Sequence, residues 1–224
     1  LFDILLFLII PYLQEPPLNI DESNISVIFI IFAVPGALIS STVLAKLSDK
    51  WGKEDIRHRI TILMIGVLIT MISLYIAFLI PLDPMSIAEG KNLRYLLNFP
   101  NLYIIGIFIT LILMARVLYV SNQRPVIQEI NLPETQGFVS SLNQLLETLA
   151  SAIAPIFGGF VYQRIGDYRI TALICGLFGV PSLIMWIWTQ KVIKTDINRI
   201  QKILHNRADE ILDDHYNRDQ IKEL

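Results

Sequence analysis

Residues 60–82 read ITILMIGVLITMISLYIAFLIPL, 23 residues without a charge. A helix rises about 1.5 Å per residue, so about 20 apolar residues cross the ~30 Å hydrocarbon core of a bilayer. The same pattern recurs on both sides of this stretch. Residues 25–45, 95–115 and 170–190 are also free of charge, and 135–163 is interrupted only by Glu147. Residues 1–13 are apolar but too short to cross, and carry Asp3; they read as the remainder of a helix that begins upstream. Six crossings are therefore expected, at about 1–14, 25–46, 60–82, 100–122, 135–163 and 168–190, with a charged tail over 191–224. The fold class is an all-α membrane bundle.

Composition agrees. Of the 224 residues, 54% are hydrophobic and 17% charged, against about 45–50% and about 25% in soluble domains. Residues 46–59 hold 8 of the charges and the tail holds 14. An ordinary soluble enzyme, a nucleic-acid binder and a disordered chain are excluded as the main reading. The lone cysteine, Cys175, excludes a disulfide framework and a cysteine zinc site. His58, His205 and His215 all lie outside the apolar runs. No metal, cofactor or nucleic acid is expected.

Polar punctuation separates the spans. Residues 14–23 (QEPPLNIDES) form a loop, with Ser23 or Asn24 as the expected cap of the second helix. Pro81, Pro84 and Gly90 break the chain after the third span, and Pro125 and Pro133 frame the loop before the fifth. Residues 164–169 make a short turn, so spans five and six form a hairpin. The connections between spans two and three and four and five, together with the tail, carry 14 Lys and Arg; the opposite side carries 4. By the positive-inside rule the basic side, including the C-terminus, faces the cytosol of a multi-pass plasma or cytoplasmic membrane protein. Trp186, Trp188, Tyr162 and Tyr168 are expected as interfacial anchors.

Ionisable groups at membrane depth are costly and point to function. Glu147 lies near mid-membrane. Asn143 and Ser151 sit one turn either side on the same face, and Gln144 and Thr148 widen the stripe. This face is expected to look into a central cavity, with Glu147 as a proton-coupling or substrate-contacting carboxylate; a structural hydrogen-bonding role is the alternative. Asp3 falls at a similar depth. Arg116, toward the cytosolic end of span four, either binds an anionic substrate or snorkels to the interface. Ser40, Ser41 and Thr42 are expected to aid helix packing.

Between spans two and three the chain reads Ala45-Lys46-Leu47-Ser48-Asp49-Lys50-Trp51-Gly52-Lys53-Glu54. This resembles the cytoplasmic loop signature of the major facilitator superfamily, roughly G-x-L-x-D-[RK]-x-G-[RK]-[RK], through Leu47, Asp49, Lys50, Gly52 and Lys53. Ala45 and Glu54 depart from it. Physically, Asp49 near a helix C-terminus needs a compensating partner such as Lys50, Lys53, Arg57 or another helix's N-terminus, and Gly52 suits a tight turn. The resemblance implies that Asp49 docks on a helix end of the opposite half and helps latch one conformation. In span five, Pro133 and Gly137 resemble the family's P-x-x-x-G helix start. Pro155, Gly158 and Gly159 resemble its Gly- and Pro-rich helices, in which small residues allow close packing. Gly166-Asp167-Tyr168-Arg169 resembles its outer turn.

The resemblance implies half of a twelve-helix secondary transporter, moving a small solute by alternating access, with H+ as the candidate coupling ion. The C-terminal half is favoured, its partner being the N-terminal six-helix half of the same polypeptide. The N-terminal half with its central loop is the rival. A six-span scaffold or receptor-like protein without transport activity and a self-dimerising half remain alternatives. In the tail, Ile193, Ile197, Ile200, Leu204, Ala208 and Ile211 recur at helical spacing, which predicts an amphipathic cytoplasmic helix lying on the membrane or the bundle.

Overall fold

The computed structural model describes the backbone of residues 2–222 and the side chains of Ile4 and of residues 7–212. Among these residues there are helices and no strand: α1 (Phe2–Gln14), α2 (Glu22–Ile39), a π-helical turn (Ser40–Leu44), α3 (Ala45–Glu54), α4 (Ile56–Leu79), α5 (Ile87–Gly90), α6 (Leu93–Leu97), α7 (Pro100–Glu129), α8 (Pro133–Ile165), α9 (Tyr168–Gly176) and α10 (Gly179–Lys222). Five stretches are long and apolar enough to cross a membrane: Glu22–Glu54, Ile56–Leu79, Pro100–Glu129, Pro133–Ile165 and Tyr168–Leu212. The sixth element, α1, has 13 residues and packs beside α8. The chain is an all-α, multi-pass membrane bundle.

Helix α4 is its centre. In its most apolar window 56% of the residues are buried, against 17% in α8 at the rim. Around α4 a large core joins Leu8, Ile28, Leu74, Phe78, Ile105 and Cys175. A smaller one, at the end carrying the basic loop, joins Ile56, Ile60, Leu63, Val126 and Ile193.

Several local expectations are corrected. The cap of α2 is Asp21, whose carboxylate accepts from Ser23 N at 3.3 Å and Ser23 Oγ at 2.5 Å. Asn24 is buried and donates to the Gly90 carbonyl at 2.9 Å. Pro125 lies inside α7, leaving only residues 130–132 between α7 and α8. The sixth span is interrupted at Leu177 and Phe178, and α10 then continues into the tail without a break. The tail is thus no separate helix. Ile193 is buried in the smaller core, and Arg207 Nη1 reaches Glu134 Oε1 of α8 at 2.5 Å. The turn between α8 and α9 is as short as expected, with Gly166 left-handed at φ 71° and Asp167 capping α9.

Helices α2 and α7 meet through small residues. A Cβ at Gly36 would stand 2.7 Å from the Thr110 carbonyl oxygen, and one at Gly106 would stand 2.5 Å from the Phe32 ring. One turn on from each glycine, a hydroxyl bonds across: Ser40 Oγ to the Met114 carbonyl and Thr110 Oγ1 to the Phe32 carbonyl, both at 2.7 Å. Lipid tails offer no hydrophobic drive to helix association, so such close approach must supply it. Gly36→Leu is expected to lower stability in detergent by about 1–3 kcal/mol through overpacking. Gly159, whose Cβ would meet nothing within 4 Å, should accept Leu without loss. Paired thermal unfolding curves check both, and equal losses would contradict this packing.

A polar groove and a charged network

Helices α7 and α8 run antiparallel and leave a groove between them. Its part nearer the basic end, about 460 Å³, is lined by Gln123, Arg124, Ser140, Asn143, Gln144 and Glu147 among others. A second cleft of about 400 Å³ continues away from it past Arg116, Tyr119, Thr148 and Ser151, and shares Gln123, Gln144 and Glu147. The helical spacing of Asn143, Glu147 and Ser151 therefore places them along one groove, as do Gln144 and Arg116. Asp3 carries a side chain outside the described residues.

A chain of amides orients the carboxylate. Gln123 Nε2 of α7 donates to Asn143 Oδ1 at 3.2 Å, and Asn143 Nδ2 donates to Glu147 Oε1 at 2.8 Å. Tyr119, edge-on to Trp186 at 6.1 Å, lies within electrostatic reach of Glu147. Gln123, Arg124 and Tyr119 were not picked out in the sequence. Gln123 and Arg124 follow Arg116 by about two turns of α7, but that spacing does not say which face of α7 meets α8. Three turns on from Glu147, on the same face of α8, a Cβ at Gly158 would stand 3.7 Å from the Phe7 and Leu8 side chains of α1, while one at Gly159 would meet nothing within 4 Å. Pro155 lies within the helix.

The loop motif takes a form the sequence did not disclose. Asp49 Oδ1 accepts from Arg59 Nη1 at 3.0 Å, so its partner is Arg59 of α4 rather than Lys50, Lys53 or Arg57. Arg59 is buried, and its Nη1 also approaches Asn122 Oδ1 of α7 at 3.4 Å. The same oxygen accepts from Ser48 Oγ. Gly52 does not turn the chain. It lies in α3, and a Cβ there would overlap the Arg59 side chain. Glycine is needed as space for a guanidinium. Leu47, Lys50 and Lys53 are exposed.

The turn itself belongs to Asp55, which caps α4 through Arg57 N at 2.9 Å. Its carboxylate also binds the Arg57 guanidinium at 3.0 Å and Lys194 Nζ of α10 at 2.9 Å. The hydrogen bonds from Arg57 first, then from Lys194, hold the Asp55 carboxyl well below the usual carboxylate range. An unfolded chain protonates such a group near pH 4. The stabilisation is therefore complete above about pH 4 and is lost as pH falls through the lower folded value. Asp55→Ala should cost about 1–2 kcal/mol at neutral pH through the lost cap. The gap to wild type should narrow in acid, as thermal unfolding across a pH series would show.

No curated protein and no solved structure matches the chain. The family model described as Major Facilitator Superfamily matches residues 1–208. With its membrane-spanning helices and its loop motif, the chain belongs to the major facilitator superfamily of membrane transporters.

Proposed function

We propose that this chain is the C-terminal six-helix half of a secondary active transporter. It moves a small solute by alternating access and couples that movement to protons through Glu147. The observation that carries the reading is the polar groove itself. Glu147 stands about 20 Å along α8 from its start at Pro133, near mid-membrane, on one of the two spans least covered by this bundle. A polar face there is tolerated only against protein or a water-filled cavity. The N-terminal six-helix half of the same polypeptide would form the other wall. The basic end faces the cytosol by the positive-inside rule. Asp49, whose side chain is 60% exposed while Arg59 beneath it is buried, keeps room for a helix end of the other half. This is the latch that the family motif implies. Proteins of this superfamily move solutes rather than transform them, and no enzymatic step is assigned.

The test is uptake by the full-length protein in proteoliposomes. Glu147→Gln keeps the shape and the amide contact but cannot carry the proton. Gradient-driven accumulation should fall at least about tenfold, while exchange of labelled for unlabelled solute at equal pH persists. Wild-type accumulation by this variant at every pH would overturn the reading.

A further inference from the structure

Among the described residues, one carboxylate and two guanidiniums line the same groove. Arg116 and Glu147 border the cleft farther from the basic end, and Arg124 and Glu147 border the nearer one. Because α7 and α8 are antiparallel and joined by a short turn, Arg116 and Glu147 both stand about 20 Å from that turn. They therefore lie level. Arg124 is exposed, two turns closer to the basic end.

We infer that the transported solute is a small organic monocarboxylate, bound by Arg116 and carried together with one proton on Glu147. This rests on the reading of Glu147 as the coupling group. Charge balance across a low-dielectric interior carries it. An empty groove with Glu147 ionised holds Arg116 and Glu147 as a neutral set. With a monoanion at Arg116 and Glu147 protonated, the set is neutral again. Both states can cross the alternating-access step without burying net charge, which a bilayer penalises heavily. The proton passes from water to the Glu147 carboxylate on one side and returns to water on the other; no other bond changes.

Other solute classes fit less well. A cation bound beside Arg116 leaves the set positive whether or not Glu147 holds a proton. A phosphate monoester carries close to two charges at neutral pH and leaves the set negative. A sugar lacks ring faces to stack on, since Tyr119 is the only aromatic ring lining the groove among the described residues and packs edge-on to Trp186. Arg presents a planar fork matched to a carboxylate. The amides of Gln123, Asn143 and Gln144 supply further hydrogen-bonding partners. Arg124, nearer the basic end, attracts the same anion on its way.

The charged and titratable groups facing Glu147 are Arg116, Tyr119 and Arg124 of α7. Among described side chains, α1 and α9 bring Tyr12, Tyr168 and Arg169 near the opposite turn and Cys175 in the core, and α10 brings Arg207 to Glu134 at the start of α8.

The experiment loads proteoliposomes of the full-length protein with a pH-reporting dye and adds pyruvate, gluconate, glycerol 3-phosphate, D-glucose or choline. A monocarboxylate should acidify the lumen, at a rate unchanged by a potassium diffusion potential. Arg116→Gln should cut this at least about tenfold, with Arg116→Lys retaining part of it. Arg124→Gln should raise KM more than it lowers kcat. Unfolding curves in detergent establish that each variant is folded; if Arg116→Gln is not, the Lys variant carries the comparison. Acidification by glucose, choline or glycerol 3-phosphate alone, by none of the five, or with a rate set by membrane potential overturns the monocarboxylate while leaving Glu147 as coupling group. Retained accumulation in Glu147→Gln overturns the underlying reading instead.

Discussion

The hydrocarbon core contains no water to satisfy a backbone or side-chain polar group, and an unsatisfied one costs several kcal/mol. The rest of this structure follows from that constraint. Helices meet it for the backbone, and side-chain hydroxyls meet it for themselves by folding back on their own helix. Thr70 Oγ1 bonds the Gly66 carbonyl at 2.8 Å, Ser121 Oγ the Val117 carbonyl at 2.8 Å and Thr148 Oγ1 the Gln144 carbonyl at 2.8 Å. Where the ladder loosens into the π turn at Ser40–Leu44, the Leu38 carbonyl receives Thr42 Oγ1 at 2.6 Å and Ser41 Oγ at 3.2 Å. The hydroxyls expected to aid packing thus also satisfy the backbone, and Ser40 alone of the three reaches across to α7.

The same constraint explains the basic end. A guanidinium buried as Arg59 is must be neutralised or it costs several kcal/mol. It draws Asp49 from one helix end and Asn122 from a third helix into one network. Gly52 then has to lack a side chain, because Arg59 occupies that space. A short family motif that looks like a solvated turn is here a packed contact among α3, α4 and α7. Asp55, Arg57 and Lys194 extend the pairing to α10 and hold the tail helix against the bundle.

The fold was legible in the sequence because lipid makes apolar length a direct signal. Residues 60–82, 25–45 and 135–163 each appear as helices close to where they were expected. The boundaries were less legible, because helices here continue through residues that usually end them. Pro125 stays inside α7, and the charged residues after Gln190 stay inside α10, where the contacts of Ile193, Lys194 and Arg207 hold them in register. Of the groove, Glu147 and its stripe were readable from spacing within one helix. Gln123 and Arg124 were not, because which face of α7 meets which face of α8 depends on tertiary packing. Arg59 was hidden for the same reason: its partner Asp49 lies across a helix junction, ten residues away.

Consecutive residues of α7 connect the two regions. Successive side chains on a helix point about 100° apart, so Asn122 turns toward Arg59 and Ser48 while Gln123 turns toward Asn143 and Glu147. Rotating α7 to improve one set of hydrogen bonds would stretch the other. An unpaired buried amide costs about 1–3 kcal/mol, so the two networks constrain the same helix rather than acting independently. Packing against α4 and α2 along most of its length makes α7 the stiff element between them. The Asp49 network and the hydrogen bonds that orient the Glu147 carboxylate thus hang on adjacent residues of one helix.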